Sequence, residues 1–183
     1  QASQPGGLAA GQQHPQLEQY AGKVAYRKQF SRKKEKGRRY RLRFNGVFYF
    51  YIAYFNGYRL GENEGYFFPR EYDITPYLKS VDAPNELIVE VDCPDEKVKN
   101  EKRLLTGVFS HWDCLDPKTN PGGIWRSIEV LESGPAFIAE CLVRPVAAKM
   151  PASLDRVAMR AHVTLNASAA MDATQRLTHA PHN

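Results

Sequence analysis

The chain has 183 residues, 43% of them apolar and 25% charged, which is enough for one globular domain with a remainder and excludes a wholly disordered chain. No run approaches the roughly 20 apolar residues of a membrane helix, and the length cannot hold a (β/α)₈ barrel of about 250 residues beside another module, so a soluble, barrel-free chain is expected. The net charge of +5 is local: residues 23–43 carry eleven Lys or Arg against one acid, leaving 14 basic and 19 acidic residues elsewhere.

Residues 1–19 are rich in Gln, Gly, Ala and Pro and predict a loose leader or surface strap. Short β-type runs follow at Val24–Phe30, Arg38–Phe44, Val47–Phe55, Tyr58–Leu60, Glu86–Asp92 and Trp125–Leu131, with no convincing long helix between them. In Arg39-Tyr40-Arg41-Leu42-Arg43-Phe44 strict alternation turns Tyr40, Leu42 and Phe44 to one side and the arginines to a solvated face. Inward aromatics argue against nucleic acid, whose bases stack on exposed rings. Fourteen of the 21 aromatic residues lie between Tyr40 and Tyr77, the material of a sandwich core.

Turn chemistry punctuates the strands. Phe55-Asn56-Gly57-Tyr58 predicts a type I′ hairpin, because both central residues must adopt positive φ. Pro69 and Pro76 bracket the extended piece Glu71–Thr75, and Asp82-Ala83-Pro84-Asn85 turns into the strand at Glu86. Many short strands with frequent turns predict a sandwich or jelly roll. Residues 93–123 then form an unpatterned stretch longer than ordinary connections, and its aromatic middle, Phe109-Ser110-His111-Trp112-Asp113-Cys114, marks it as the place to look for function. Beyond Phe137, Val157–Asn166 alternates as a half-buried strand with no partner strand evident, and only 45 residues remain from Ala139, against about 100 for an immunoglobulin-like sandwich.

Three cysteines, Cys93, Cys114 and Cys141, fit no metal or redox spacing and are expected as free thiols. His179 and His182 flank a proline with no third ligand near, so no metal site and no cofactor is expected. Asp113 with Asp116, and Asp92 with Asp95, read as solvated loop acids, since catalytic carboxylates need opposed positions and unequal environments.

The ordered motifs Tyr40–Val47, Tyr54–Phe67, Glu71–Thr75, Asn85–Val91 and Gly122-Gly123-Ile124-Trp125-Arg126, opened by Tyr26–Phe30, resemble the amino-terminal sugar-binding domain of family 2 glycoside hydrolases, which include β-galactosidases, β-mannosidases and β-glucuronidases. The resemblance covers about residues 20–138. It implies an all-β chain: a galactose-binding-like jelly-roll β-sandwich, with residues 139–183 the truncated start of an immunoglobulin-like sandwich. It also implies a non-catalytic module of an enzyme cleaving terminal β-glycosidic bonds, because the family's two catalytic glutamates lie on a barrel that this chain does not carry. In the family a Trp-Asp pair ahead of Gly-Ile-Trp reaches the sugar next to the cleaved bond. Trp112 and Asp113 match that pair, and His111 stands with them as a candidate substrate contact. A carboxylate can accept hydrogen bonds from two vicinal hydroxyls, and an indole offers an apolar face to a sugar's C–H surface. Trp112 as a buried anchor and Asp113 as a turn acid is the alternative role for the pair. Expected partners are a β-glycoside and the barrel and immunoglobulin-like domains of the same enzyme, with no nucleic acid or membrane and with a homo-oligomer open. Two rival functions are a free-standing carbohydrate-binding module and a basic nucleic-acid-binding β-domain, the latter requiring an uncovered Arg39, Arg41 and Arg43 face.

Overall fold

The computed structural model describes residues 20, 22–79, 83–93, 122–146 and 158–167. Among them there is no helix, and eleven strands are formed: β1 Gly22–Phe30, β2 Arg39–Phe44, β3 Val47–Phe48, β4 Phe50–Phe55, β5 Tyr58–Glu64, β6 Arg70–Asp73, β7 Asn85–Cys93, β8 Gly123–Ile124, β9 Ile128–Ser133, β10 Ala136–Pro145 and β11 Met159–Ala167. The expected leader at 1–19 and the His179–His182 pair lie outside the described residues. The chain divides into two compact units, Gln1–Glu132 and Ser133–Asn183.

The first unit is built from an antiparallel sheet in the order β1-β7-β4-β5, a second sheet β6-β2-β9 and the short pair β3-β8. Alternation decides which side chains meet. From β2 come Tyr40, Leu42 and Phe44; from β4, Tyr51, Ala53 and Phe55; from β7, Leu87, Val89, Val91 and Cys93, all buried in one cluster. Phe44 stacks on Tyr51 with ring centroids 5.0 Å apart and meets the edge of Tyr72 at 5.6 Å, so the two sheets face each other across aromatic contacts. Burial of one such side chain contributes about 1.5–3 kcal/mol, which makes this cluster the main source of the unit's stability. The hairpin forms as expected, with φ of 50° at Asn56 and 85° at Gly57.

Several expectations need correction. Val47–Phe55 is not one strand: it divides at Tyr49, β3 pairing with β8 while β4 enters the large sheet. Trp125–Leu131 likewise divides, because Gly123–Ile124 pairs with β3 and a separate strand starts at Ile128. The strand begun at Tyr58 continues to Glu64. The arginine face of β2 is largely covered: the Arg39 and Arg41 side chains are only 15% and 14% exposed, because β6 lies alongside and supplies Asp73 at 2.9 Å and Glu71 at 2.6 Å, while Arg43 stays 40% exposed. That arrangement removes the uncovered arginine face which a nucleic-acid reading of this strand requires.

In the second unit β11 does have a partner, β10, and its residues are exposed rather than half-buried. Directly opposed residues of an antiparallel pair share a face. Ile138 with Leu165, Cys141 with Val163, Val143 with Ala161 and Pro145 with Met159 therefore form one wholly apolar face, while Phe137 with Asn166, Glu140 with Thr164, Leu142 with His162 and Arg144 with Arg160 make the other face mixed. A register shift between Ile138 and Glu140 keeps Ile138 and Cys141 in phase.

Candidate functional site

The stretch singled out for function leaves the sandwich at the end of β7 and returns at β8, so its two feet are Cys93 and Gly123. Both meet β3. The Cys93 thiol donates to the Phe48 carbonyl at 3.3 Å, and Phe48 is the register partner of Gly123. Gly123 has φ of 122°, a conformation that a side chain would strain. The feet are thus fixed by the fold, whereas His111, Trp112, Asp113 and Asp116 lie outside the described residues.

Just past the second foot, Asn45 and Gly46 hold the returning chain. The Gly46 carbonyl accepts from the backbone N–H groups of Trp125 and Arg126, both at 3.2 Å. The Asn45 backbone N–H donates to the Ser127 carbonyl at 3.1 Å, and its Nδ2 donates to Ser127 Oγ at 2.9 Å and Glu129 Oε1 at 3.0 Å. The Trp125 indole packs against Gly46: a Cβ there would sit 2.8 Å from Cε2 and Nε1, so glycine is required by close approach. The Arg126 guanidinium covers the ring at 4.3 Å from its centroid, and Phe67 meets it edge-on at 6.2 Å. Trp125 and Arg126 are therefore packing and positioning residues. Phe67 in turn contacts Tyr66 at 4.4 Å, and Tyr66 contacts Phe48 at 4.8 Å, which closes an aromatic layer around the base of the loop.

The electrostatics limit what this frame can do. Burial and the nearby Asp92 push the Cys93 thiol up to about 11, so it is a protonated core thiol rather than a nucleophile at neutral pH. Burial alone would raise Asp73, but hydrogen bonds from Thr75 and Arg39 outweigh it and hold the carboxyl below its usual value. Hydrogen bonds from Gln29 and Arg27 do the same for Glu86. Asp73, Glu71, Glu86 and Glu132 are all engaged by arginines and stand as structural partners. Among the described residues no group of three or more His, Cys, Asp or Glu is placed to hold a metal ion.

Sequence reasoning missed the part played by Asn45-Gly46, although an Asn-Gly step ahead of the apolar Val47-Phe48 was a visible sign of a turn or close approach. It also placed the exposed positive charge on β2, whereas the structure covers Arg39 and Arg41 and leaves exposed charge on β1, at Lys23, Arg27 and Lys28, and on the connection between β1 and β2.

Residues 10–123 match the family described as glycosyl hydrolase 2 galactose-binding domain-like. A beta-glucuronidase of Formosa agariphila is 30% identical over 132 residues, which are 72% of this chain and 13% of that protein. Beta-galactosidase BoGH2A of Bacteroides ovatus is 32% identical over 114 residues, 62% of this chain and 11% of that protein. The solved beta-glucuronidase of Bifidobacterium dentium, in complex with coumarin-3-O-glucuronide, superposes with a TM-score of 0.65 at 21% identity, covering 88% of this chain and 30% of that one, and shares the fold. The chain therefore spans about an eighth of the length of these curated relatives.

Proposed function

Because this chain belongs to the glycosyl hydrolase 2 galactose-binding domain-like family, we propose that it serves as the non-catalytic sugar-binding and structural module of a family 2 glycoside hydrolase that cleaves terminal β-glycosidic bonds. The observation that carries this reading is the mount at the feet of the loop. Cys93, Phe48 and Gly123 fix where the chain leaves and returns, and Asn45-Gly46 with Trp125 and Arg126 stiffens the return. A rigid mount suits a loop that presents Trp112 and Asp113 to a sugar held by another domain, since subsite contacts lose value when they are free to wander. His111, next to the pair, is the third candidate contact.

In the same reading, residues 1–19 are a leader or strap, 20–138 the sugar-binding sandwich, and 139–183 the beginning of an immunoglobulin-like sandwich. The amphipathic β10–β11 hairpin supports the last assignment, because an entirely apolar sheet face is the inner face of a two-sheet sandwich. In the enzyme that carries this module, Asp113→Asn is expected to lower kcat/KM about 10- to 100-fold, equivalent to about 1.4–2.7 kcal/mol of transition-state binding, with the melting temperature unchanged. Steady-state kinetics checks this, and an Asp113→Asn enzyme of parental activity would remove Asp113 from the sugar site.

A further inference from the structure

The connection between β1 and β2, residues 31–38, carries Arg32, Lys33, Lys34, Lys36 and Arg38 against the single acid Glu35. Its arginines and lysines do different work. Arg32 and Arg38 both pair with Glu132 on β9, and Arg38 also approaches Glu35. The loop is pinned from beneath by Tyr40, which is fully buried: its hydroxyl accepts from the Glu35 backbone N–H at 3.0 Å and donates to the Lys33 carbonyl at 3.4 Å, while Arg32 lies over its ring at 5.7 Å from the centroid. Lys33 and Lys36 are exposed and Lys34 is half-exposed, and none of the three forms an ion pair among the described residues. Glu132 is thus engaged by the two arginines that anchor the loop and Glu35 stands 3.9 Å from Arg38, which leaves three lysine charges on a backbone held by Tyr40.

We propose that Lys33, Lys34 and Lys36 form a docking patch for a polyanionic glycan, a polysaccharide bearing uronate carboxylates. This rests on the reading of the chain as a glycan-handling module and adds the chemical class of polymer that the module meets. Lysine ammonium groups on flexible stems suit a run of carboxylates spaced along a polymer, where each acts as a point charge, rather than one fixed bidentate group. The backbone of the loop is ordered before binding, so the ordering cost is confined to the side chains. The basic segment stands against a remainder that is net acidic and repels a polyanion, so the charge distribution directs such a polymer to this segment and away from the rest of the molecule.

The test is binding of polygalacturonate to the 183-residue chain over a series of salt concentrations, beside a neutral galactan and duplex DNA, with Lys33→Gln/Lys34→Gln/Lys36→Gln as the variant. The expected result is binding of the polyuronate and not of the galactan. The slope of log K against log salt should be shallower by about 2–3 in the variant, as for the loss of three counter-charges. A melting curve confirms that the variant is folded, and Lys33→Gln/Lys36→Gln, which changes only the two exposed lysines, gives a smaller decrease in slope should the triple variant not fold. No polyuronate binding at low salt, equal binding of the galactan, or an unchanged slope in the folded variant would overturn the proposal. Tighter binding of DNA with the same dependence on the lysines would overturn the assignment to glycan. The module reading is tested at Asp113 and not at these lysines, so the two fail separately.

Discussion

Among the described residues Asn85 is the polar side chain that the fold buries completely, and its oxygen is the atom the fold uses, its Nδ2 having no partner among the described residues. Asn85 Oδ1 accepts from Asn56 Nδ2 at 2.9 Å and from the Lys79 backbone N–H at 3.1 Å, while Asn56 Nδ2 also reaches the Tyr77 carbonyl at 2.8 Å and Asn56 Oδ1 accepts from the Glu86 N–H at 2.8 Å. Asn56 was legible in the sequence as a turn residue, but its link to Asn85 was not, because a contact 29 residues away leaves no local pattern. Asn85→Ala strands the Lys79 donor and one bond of Asn56 out of water, so the urea midpoint should fall by the equivalent of about 1–3 kcal/mol with an unchanged slope. Cys93 carries a second residue-scale consequence. Its folded thiol titrates near 11 against an ordinary 9.0, so above pH 9 the unfolded chain releases a proton that the folded chain retains. The stability present below pH 9 is therefore lost progressively as pH rises through 11. Urea titrations at pH 8, 9, 10 and 11 should show a falling midpoint, and Cys93→Ala should make that fall shallower.

At the scale of elements, strands were readable where one face is buried and the other is not. β2 and β7 alternate cleanly, and their bounds differ from the sequence expectation by a residue at the ends. The break at Tyr49 was hidden because Val47-Phe48-Tyr49-Phe50 is apolar throughout, so a change of sheet alters no visible phase. β10 was hidden for a different reason: its bulge puts Ile138 and Cys141, three residues apart, on one face, which defeats a search for period two. The cover over the β2 arginines was equally invisible, since it depends on β6 arriving from thirty residues away. The β10–β11 hairpin leaves Ile138, Val143, Met159, Val163 and Leu165 exposed, a face prone to self-association in a chain of this length. Val163→Lys is expected to lower the light scattering of concentrated solutions while changing stability by less than about 0.5 kcal/mol, read by urea unfolding. A variant that scatters as strongly as the parent would show that this face is not what associates.

For the molecule as a whole, the galactose-binding-like sandwich was legible because its motifs are local and ordered along the chain. The candidate sugar contacts were legible only through family resemblance, since Trp112 and Asp113 carry no periodic signal. What the structure adds is the mount at Cys93 and Gly123 and the division of charge between anchoring arginines and outward lysines. Both observations support the proposed role, a module that holds and positions glycan for a bond-cleaving domain of the same enzyme. Retaining or inverting hydrolysis requires two carboxyl groups about 5–9.5 Å apart on a rigid scaffold. The arginine-bound acids of this sandwich are committed to structural pairing. The most direct measurement is release of aryl alcohol from aryl β-glucuronide, β-galactoside and β-mannoside substrates by the purified 183-residue chain. No release above the uncatalysed rate is expected on any of the three. Turnover abolished by replacing a single carboxylate within this chain would contradict it, because a catalytic pair would then reside in the module itself.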